Sequence, residues 1–125
     1  MAENTFILKL TDGSDLMAGL EKLAKENGIS YGFIVSGCGK ITDFQLVSHC
    51  RNAGVDTFES KSEYALDAIS GKMENNKKNG FRLEVRVAIS STGFTAKVGQ
   101  LIKAKASGTL EIEVKKVDLK KIIIA

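Results

Sequence analysis

Apolar and polar residues alternate most cleanly between Phe81 and Ser90. Phe81, Leu83, Val85, Val87 and Ile89 take turns with Arg82, Glu84, Arg86, Ala88 and Ser90. A period of two puts these sets on opposite faces of a β-strand. Shorter alternations predict strands at Phe6, Leu8 and Leu10, and at Leu110, Ile112 and Val114. Leu16, Leu20, Leu23 and Ala24 have helical spacing and predict one amphipathic helix. Ser14 or Asp12 is expected to cap it, with Asp15 suited to the positive end of its dipole. Asn27-Gly28 is expected to stop it, and Glu21 and Lys25 form an i,i+4 pair on its exposed side.

The apolar run from Tyr31 to Ser36 reads as a central strand, broken by Gly37-Cys38-Gly39 and resumed as extended chain from Ile41 to Ser48. Arg51 to Gly54 reads as a turn. Tyr64 to Glu74 reads as extended, and Asn75 to Gly80 as a loop closed by an Asn-Gly signal. Ser91-Thr92-Gly93 is expected to be a hairpin link, Phe94 to Lys105 a strand, and Ala106-Ser107-Gly108 a second tight link. Such links are too short for parallel crossovers, which need a dozen or more residues. The predicted class is α+β: one domain over residues 1–125, an antiparallel meander with one main helix packed on it. The tail from Val117 to Ala125 ends in Ile122-Ile123-Ile124, expected to pack on a sheet edge or against a neighbouring subunit.

A chain of 125 residues suffices for one buried core. No run of 18 apolar residues predicts a spanning helix, and the opening MAENTFILKL lacks the pattern of a secretory leader. Cys38 and Cys50, without a CxxC pairing, suit reduced thiols and a cytoplasmic protein. The net charge of +3 is unevenly spread. Residues 1–69 hold 6 Lys/Arg and 10 Asp/Glu, whereas residues 70–125 hold 12 and 5. A basic half can meet phosphates, although Lys also lines exposed strands and discourages their aggregation.

Four segments, in this order and spacing, resemble the plant-and-prokaryote-conserved (PPC) domain family. They are Gly13-Ser14-Asp15-Leu16; Ser36-Gly37-Cys38-Gly39-Lys40-Ile41 followed by Asp43-Phe44-Gln45-Leu46; Ile69-Ser70-Gly71; and Val98-Gly99-Gln100-Leu101. The resemblance runs from about Phe6 to Val114. It implies a compact antiparallel sheet with a helix, assembled as a homotrimer, and for stand-alone prokaryotic members a DNA-associated role. Plant relatives carry AT-hooks, which need an Arg-Gly-Arg-Pro core; this chain has no Pro. Many prokaryotic relatives hold metal on a His-x-His and a Gly-Gly-His. The matching positions here are Arg82, Glu84 and Gln100, so no metal and no cofactor is expected. The plant partner-binding motif would fall near Ser62 to Asp67, whose SEYALD does not carry it.

The candidate cleft gathers Arg82, Glu84, Gln100, His49 and Cys38. Arg82, Glu84 and Arg86 share a strand face, either as weak surface ion pairs or as a pocket taking a small anion on the arginine fork. Gln100 has the parity of Phe94, Ala96, Val98 and Ile102, which points it inward. Either a bulge at Gly99 turns it outward or it bonds to a group such as Glu84. His49 is the sole histidine, with no supporting triad in view. Cys38 lies between two glycines, as a small packed residue or as a pocket lip. Gly37-Cys38-Gly39 lacks the third Gly and the following helix of a dinucleotide fingerprint.

Lys115, Lys116, Lys120 and Lys121, with Lys97, Lys103 and Lys105, are the candidate phosphate-facing residues. No reading helix or aromatic interleaving accompanies them, so DNA binding would be weak, salt-dependent and poor in sequence specificity. The expected function is a non-catalytic trimeric binding protein with a DNA-associated or regulatory role. The competing functions are a protein or enzyme acting on a small anionic ligand at an intersubunit cleft, and a purely structural trimer.

Overall fold

A computed structural model of the chain describes residues 4–50 and 54–124, with side chains at all of these but positions 49, 50, 54 and 94. The helix α1 (Leu16–Glu26) follows strand β1 (Thr5–Leu10). Asp15 is its N-cap, accepting a hydrogen bond from Ala18 N at 3.1 Å. The expected caps act elsewhere: Asp12 Oδ1 accepts from Gly108 N at 2.8 Å, and the Ser14 hydroxyl lies 3.2 Å from that of Thr11. Asn27 closes the helix and Gly28 takes positive φ.

Two long strands depart from the expected breaks. β2 runs unbroken from Tyr31 to Cys50, through Gly37-Cys38-Gly39. It bends at register shifts instead of ending. Gly39 takes φ +136, and a Cβ there would stand 2.8 Å from the Thr109 carbonyl oxygen. β6 likewise runs from Ala96 to Lys116, through the expected link at Ala106-Ser107-Gly108. The turn before α1 supplies backbone partners at that bend: Gly13 N donates to Ala106 O at 2.8 Å, and Ala106 N to Ser14 O at 2.9 Å. β4 (Tyr64–Asn76) and β5 (Gly80–Ser90) form the hairpin announced by the Asn-Gly signal. The edge strand β3 (Gly54–Ser60) was not expected from sequence, and residues 51–53 of the expected turn lie outside the described residues.

Every pairing is antiparallel. The order is β1-β6-β5-β4-β2-β3, with β2 also pairing β6. β4, β5 and β6 are consecutive antiparallel neighbours, as expected of a meander in the second half, and β2 closes them into a ring with β1 and β3 at its margins. Leu16, Leu20 and Ala24 of α1 join Phe44, Ile69, Met73, Val85, Val87, Ile89, Leu101, Leu110, Ile112 and Val114 in one core. Full burial of a side chain of this kind stabilises by about 1.5–3 kcal/mol. No helix among the described residues is long and apolar enough to cross a membrane.

The start of the tail is held on β2, where Val117 N donates to Tyr31 O at 2.9 Å, and its isoleucine end is open. A short 3₁₀ turn at Leu119–Lys121 leads to Ile122, and Ile123 and Ile124 are 88% and 95% exposed.

Candidate functional site

With Val85, Val87 and Ile89 buried in the core, alternation turns Arg82, Glu84 and Arg86 outward. The hairpin register then sets their neighbours. Asn76 pairs Gly80 at its closed end, and counting back places Glu74 opposite Arg82, Lys72 opposite Glu84, and Ser70 opposite Arg86. On the far side of β5, Arg86 stands opposite Gln100 of β6.

Gln100 is directed outward, against the parity expectation. The inward set in the first part of β6 is Gly99 and Leu101, while Val98 and Ile102 are 66% and 43% exposed. The register against β2 shifts between Leu101 and Lys103, after which Ala104 and Ala106 are the buried residues. The phase changes beyond Gln100, so no bulge at Gly99 is needed. Its side-chain amide makes no hydrogen bond to another described residue, Glu84 included.

Lys72, Glu74, Arg82, Leu83, Glu84 and Gln100 line an open depression of about 340 Å³. Tight backbone packing positions it. Gly71, opposite Val85, is so close to β5 that an added Cβ would run into the Glu84 carbonyl oxygen. Among the described residues, the charged side chains of the depression form no ion pair with one another. Opposite charges in register do pair elsewhere on the sheet, as Lys9 and Glu111 do at 3.3 Å. Around the depression, two cations and two carboxylates stay open to other partners.

Three of the five expected cleft residues therefore meet: Arg82, Glu84 and Gln100. Cys38 does not join them; it is exposed on β2, opposite Glu111 of β6. The His49 side chain lies outside the described residues, and its backbone pairs Val55. Lys72 and Glu74 were missed, although counting the register back from the Asn-Gly turn finds both. A metal does not fit the depression. Its donors are two carboxylates and an amide, with an ammonium and a guanidinium among them, and no imidazole or thiolate lines it. Among the described residues, no three His, Cys, Asp or Glu side chains group so as to hold a metal ion.

The candidate phosphate-facing lysines lie apart, at the end of β6 and in the turn beyond. Lys115, Lys120 and Lys121 are exposed and Lys116 is partly buried. None of the four forms an ion pair with a described residue. By contrast, Lys105 pairs Asp43 at 3.4 Å, and Lys97 lies over the Phe58 ring at 4.8 Å. Asp43 itself takes φ +46 at a register shift of β2.

The sequence pattern of the Plants and Prokaryotes Conserved (PCC) domain matches residues 1–118. No curated protein matches the chain. Among solved structures, it is similar to a metal-containing protein from Archaeoglobus fulgidus, with TM-score 0.77, 21% identity, and coverage of 90% of this chain and 78% of that one. It is similar to a plant- and prokaryote-conserved protein from Pyrococcus horikoshii, with TM-score 0.77, 15% identity, and coverage of 91% and 79%. A candidate DNA-binding protein from Bacteroides thetaiotaomicron has TM-score 0.77, 20% identity, and coverage of 92% and 80%. At these identities the likeness establishes a shared fold.

Proposed function

The chain belongs to the Plants and Prokaryotes Conserved domain family, and from that premise we propose that it is a homotrimeric, non-catalytic binding protein with a DNA-associated or regulatory role. The observation that carries this reading is the set of lysines at the end of β6. Lys115, Lys116, Lys120 and Lys121 lack a carboxylate partner among the described residues, in the half of the chain where basic residues outnumber acidic ones 12 to 5. Phosphates would supply the missing countercharge, and released counterions the driving force. The candidate DNA-binding protein of the same fold supports the reading. Self-association is supported by apolar side chains left open on the sheet, including Val98 at 66%, Ile7 at 57% and Val35 at 50% exposure. Two cysteines outside any CxxC pairing support a cytoplasmic location.

The test is DNA binding at low and rising salt, alongside native mass spectrometry. We expect a trimer, binding that weakens steeply with salt, and loss of the low-salt shift when the four lysines are replaced by Ala. Unchanged binding by that variant defeats the DNA reading, and a monomer defeats the assembly.

A specific observation favours a second reading, a small-ligand site at Arg82, Glu84 and Gln100. It is the depression whose charges remain unpaired. Here Arg82→Ala is expected to lose a bound small anion while the trimer survives. Equal retention of that ligand by both proteins counts against the site.

A further inference from the structure

The four charges around the depression stand at the corners of a checkerboard. Lys72 faces Glu84 across the hairpin and Glu74 faces Arg82, so like charges lie on the diagonals. Cross-strand neighbours have Cβ atoms about 5 Å apart, and diagonal ones about 7–8 Å. A simple anion settled between Lys72 and Arg82 would also meet Glu74 and Glu84. A simple cation would meet the reverse repulsion. A molecule carrying both charges a few bonds apart meets an opposite charge at each end, whichever edge of the checkerboard it lies along. Gln100, half-buried with its amide unpartnered among the described residues, offers a donor and an acceptor beside them. The volume of about 340 Å³ lies in the range of small-molecule sites.

We propose that the depression on the outer face of β4, β5 and β6 binds a small zwitterion along the Arg82–Glu84 edge of the checkerboard, its carboxylate or phosphate on Arg82 and its ammonium group on Glu84. The proposal deepens the second reading above and rests on it, replacing a plain anion by a ligand of balanced charge. Arg82 supplies the planar fork for the anionic end, which a lysine would hold only as a point charge. The Glu84 carboxylate accepts from the ammonium group, an interaction that a phosphate or sulfate alone would leave unused.

The test follows backbone amide shifts of the ¹⁵N-labelled protein, in its native assembly, during titration with phosphoethanolamine, inorganic phosphate and ethanolamine. Phosphoethanolamine is expected to give saturable shifts at Lys72, Glu74, Arg82, Glu84 and Gln100, with phosphate and ethanolamine each binding about tenfold or more weakly, as suits the loss of one charged contact. Arg82→Ala and Glu84→Gln should each weaken phosphoethanolamine by a similar factor without changing the oligomer. Phosphate binding as tightly as phosphoethanolamine, and indifferent to Glu84→Gln, overturns the zwitterion while leaving the small-anion site standing. Saturable shifts with none of the three probes overturn both, as when a second copy's charges already occupy the checkerboard.

Discussion

Glu63 accepts a hydrogen bond from the Ser107 hydroxyl at 2.6 Å and lies 3.2 Å from Lys40 Nζ. The Ser107 bond first, and Lys40 second, hold its carboxyl below the ordinary value of 4.5. A depressed carboxylate stabilises the fold above its unfolded value, and that contribution is lost as pH falls through the folded one. The stability difference between the native chain and Glu63→Gln should therefore be full near neutrality and shrink as pH drops below about 4.5. It should be small, because the pair is open to water. Urea midpoints measured from about pH 6 to about pH 3 check this; a difference that does not change with pH removes the role given to Glu63. At the same scale, Arg82 and Glu84 were legible as one face because a strand's period is two. Gln100 was not legible, because its direction depends on a phase change beyond Leu101 that alternation alone does not reveal.

The turn that leads into α1 does two jobs at once. Asp15 caps the helix, and the backbone of residues 13 and 14, with the Asp12 carboxylate, holds the bend of β6. Asp15→Ala should remove only the cap, since Asp15 is also tied to Lys105 through a backbone bridge. The expected cost is about 1 kcal/mol, read as a lower urea midpoint at unchanged slope. A midpoint equal to the native one means that the cap contributes nothing. The elements most visible in the sequence were those with strong local patterns: β1, α1, β5 and the hairpin turn. Breaks were expected at Gly37-Cys38-Gly39 and at Ala106-Ser107-Gly108, because small residues there lack strand propensity. Both segments stay extended because distant backbone groups satisfy them, and propensity yields to that pairing. β3 escaped notice because it is short, and its side chains from Val55 to Thr57 are exposed, leaving no apolar stripe to detect.

The fully exposed Ile123 and Ile124 bear on assembly at the scale of the whole molecule. If a neighbouring subunit covers them in the proposed trimer, replacing Ile122, Ile123 and Ile124 together by Ser should weaken self-association while leaving the monomer folded. Sedimentation velocity over a falling concentration series reads this out, and an unaltered mass distribution means that the isoleucines are not part of the interface. The order of motifs was enough to identify the family, because the helix start, the glycine-marked bends and the paired apolar stripes are local and chain-ordered. It was also enough to place Arg82 beside Glu84 on one outer face. The tertiary structure decided that the sheet closes into a ring, that β2 and β6 run through their glycines, and that Lys72, Glu74 and Gln100 join that face. Those outcomes depend on backbone partners tens of residues away in the chain and on register shifts between strands, which no local pattern of residues carries.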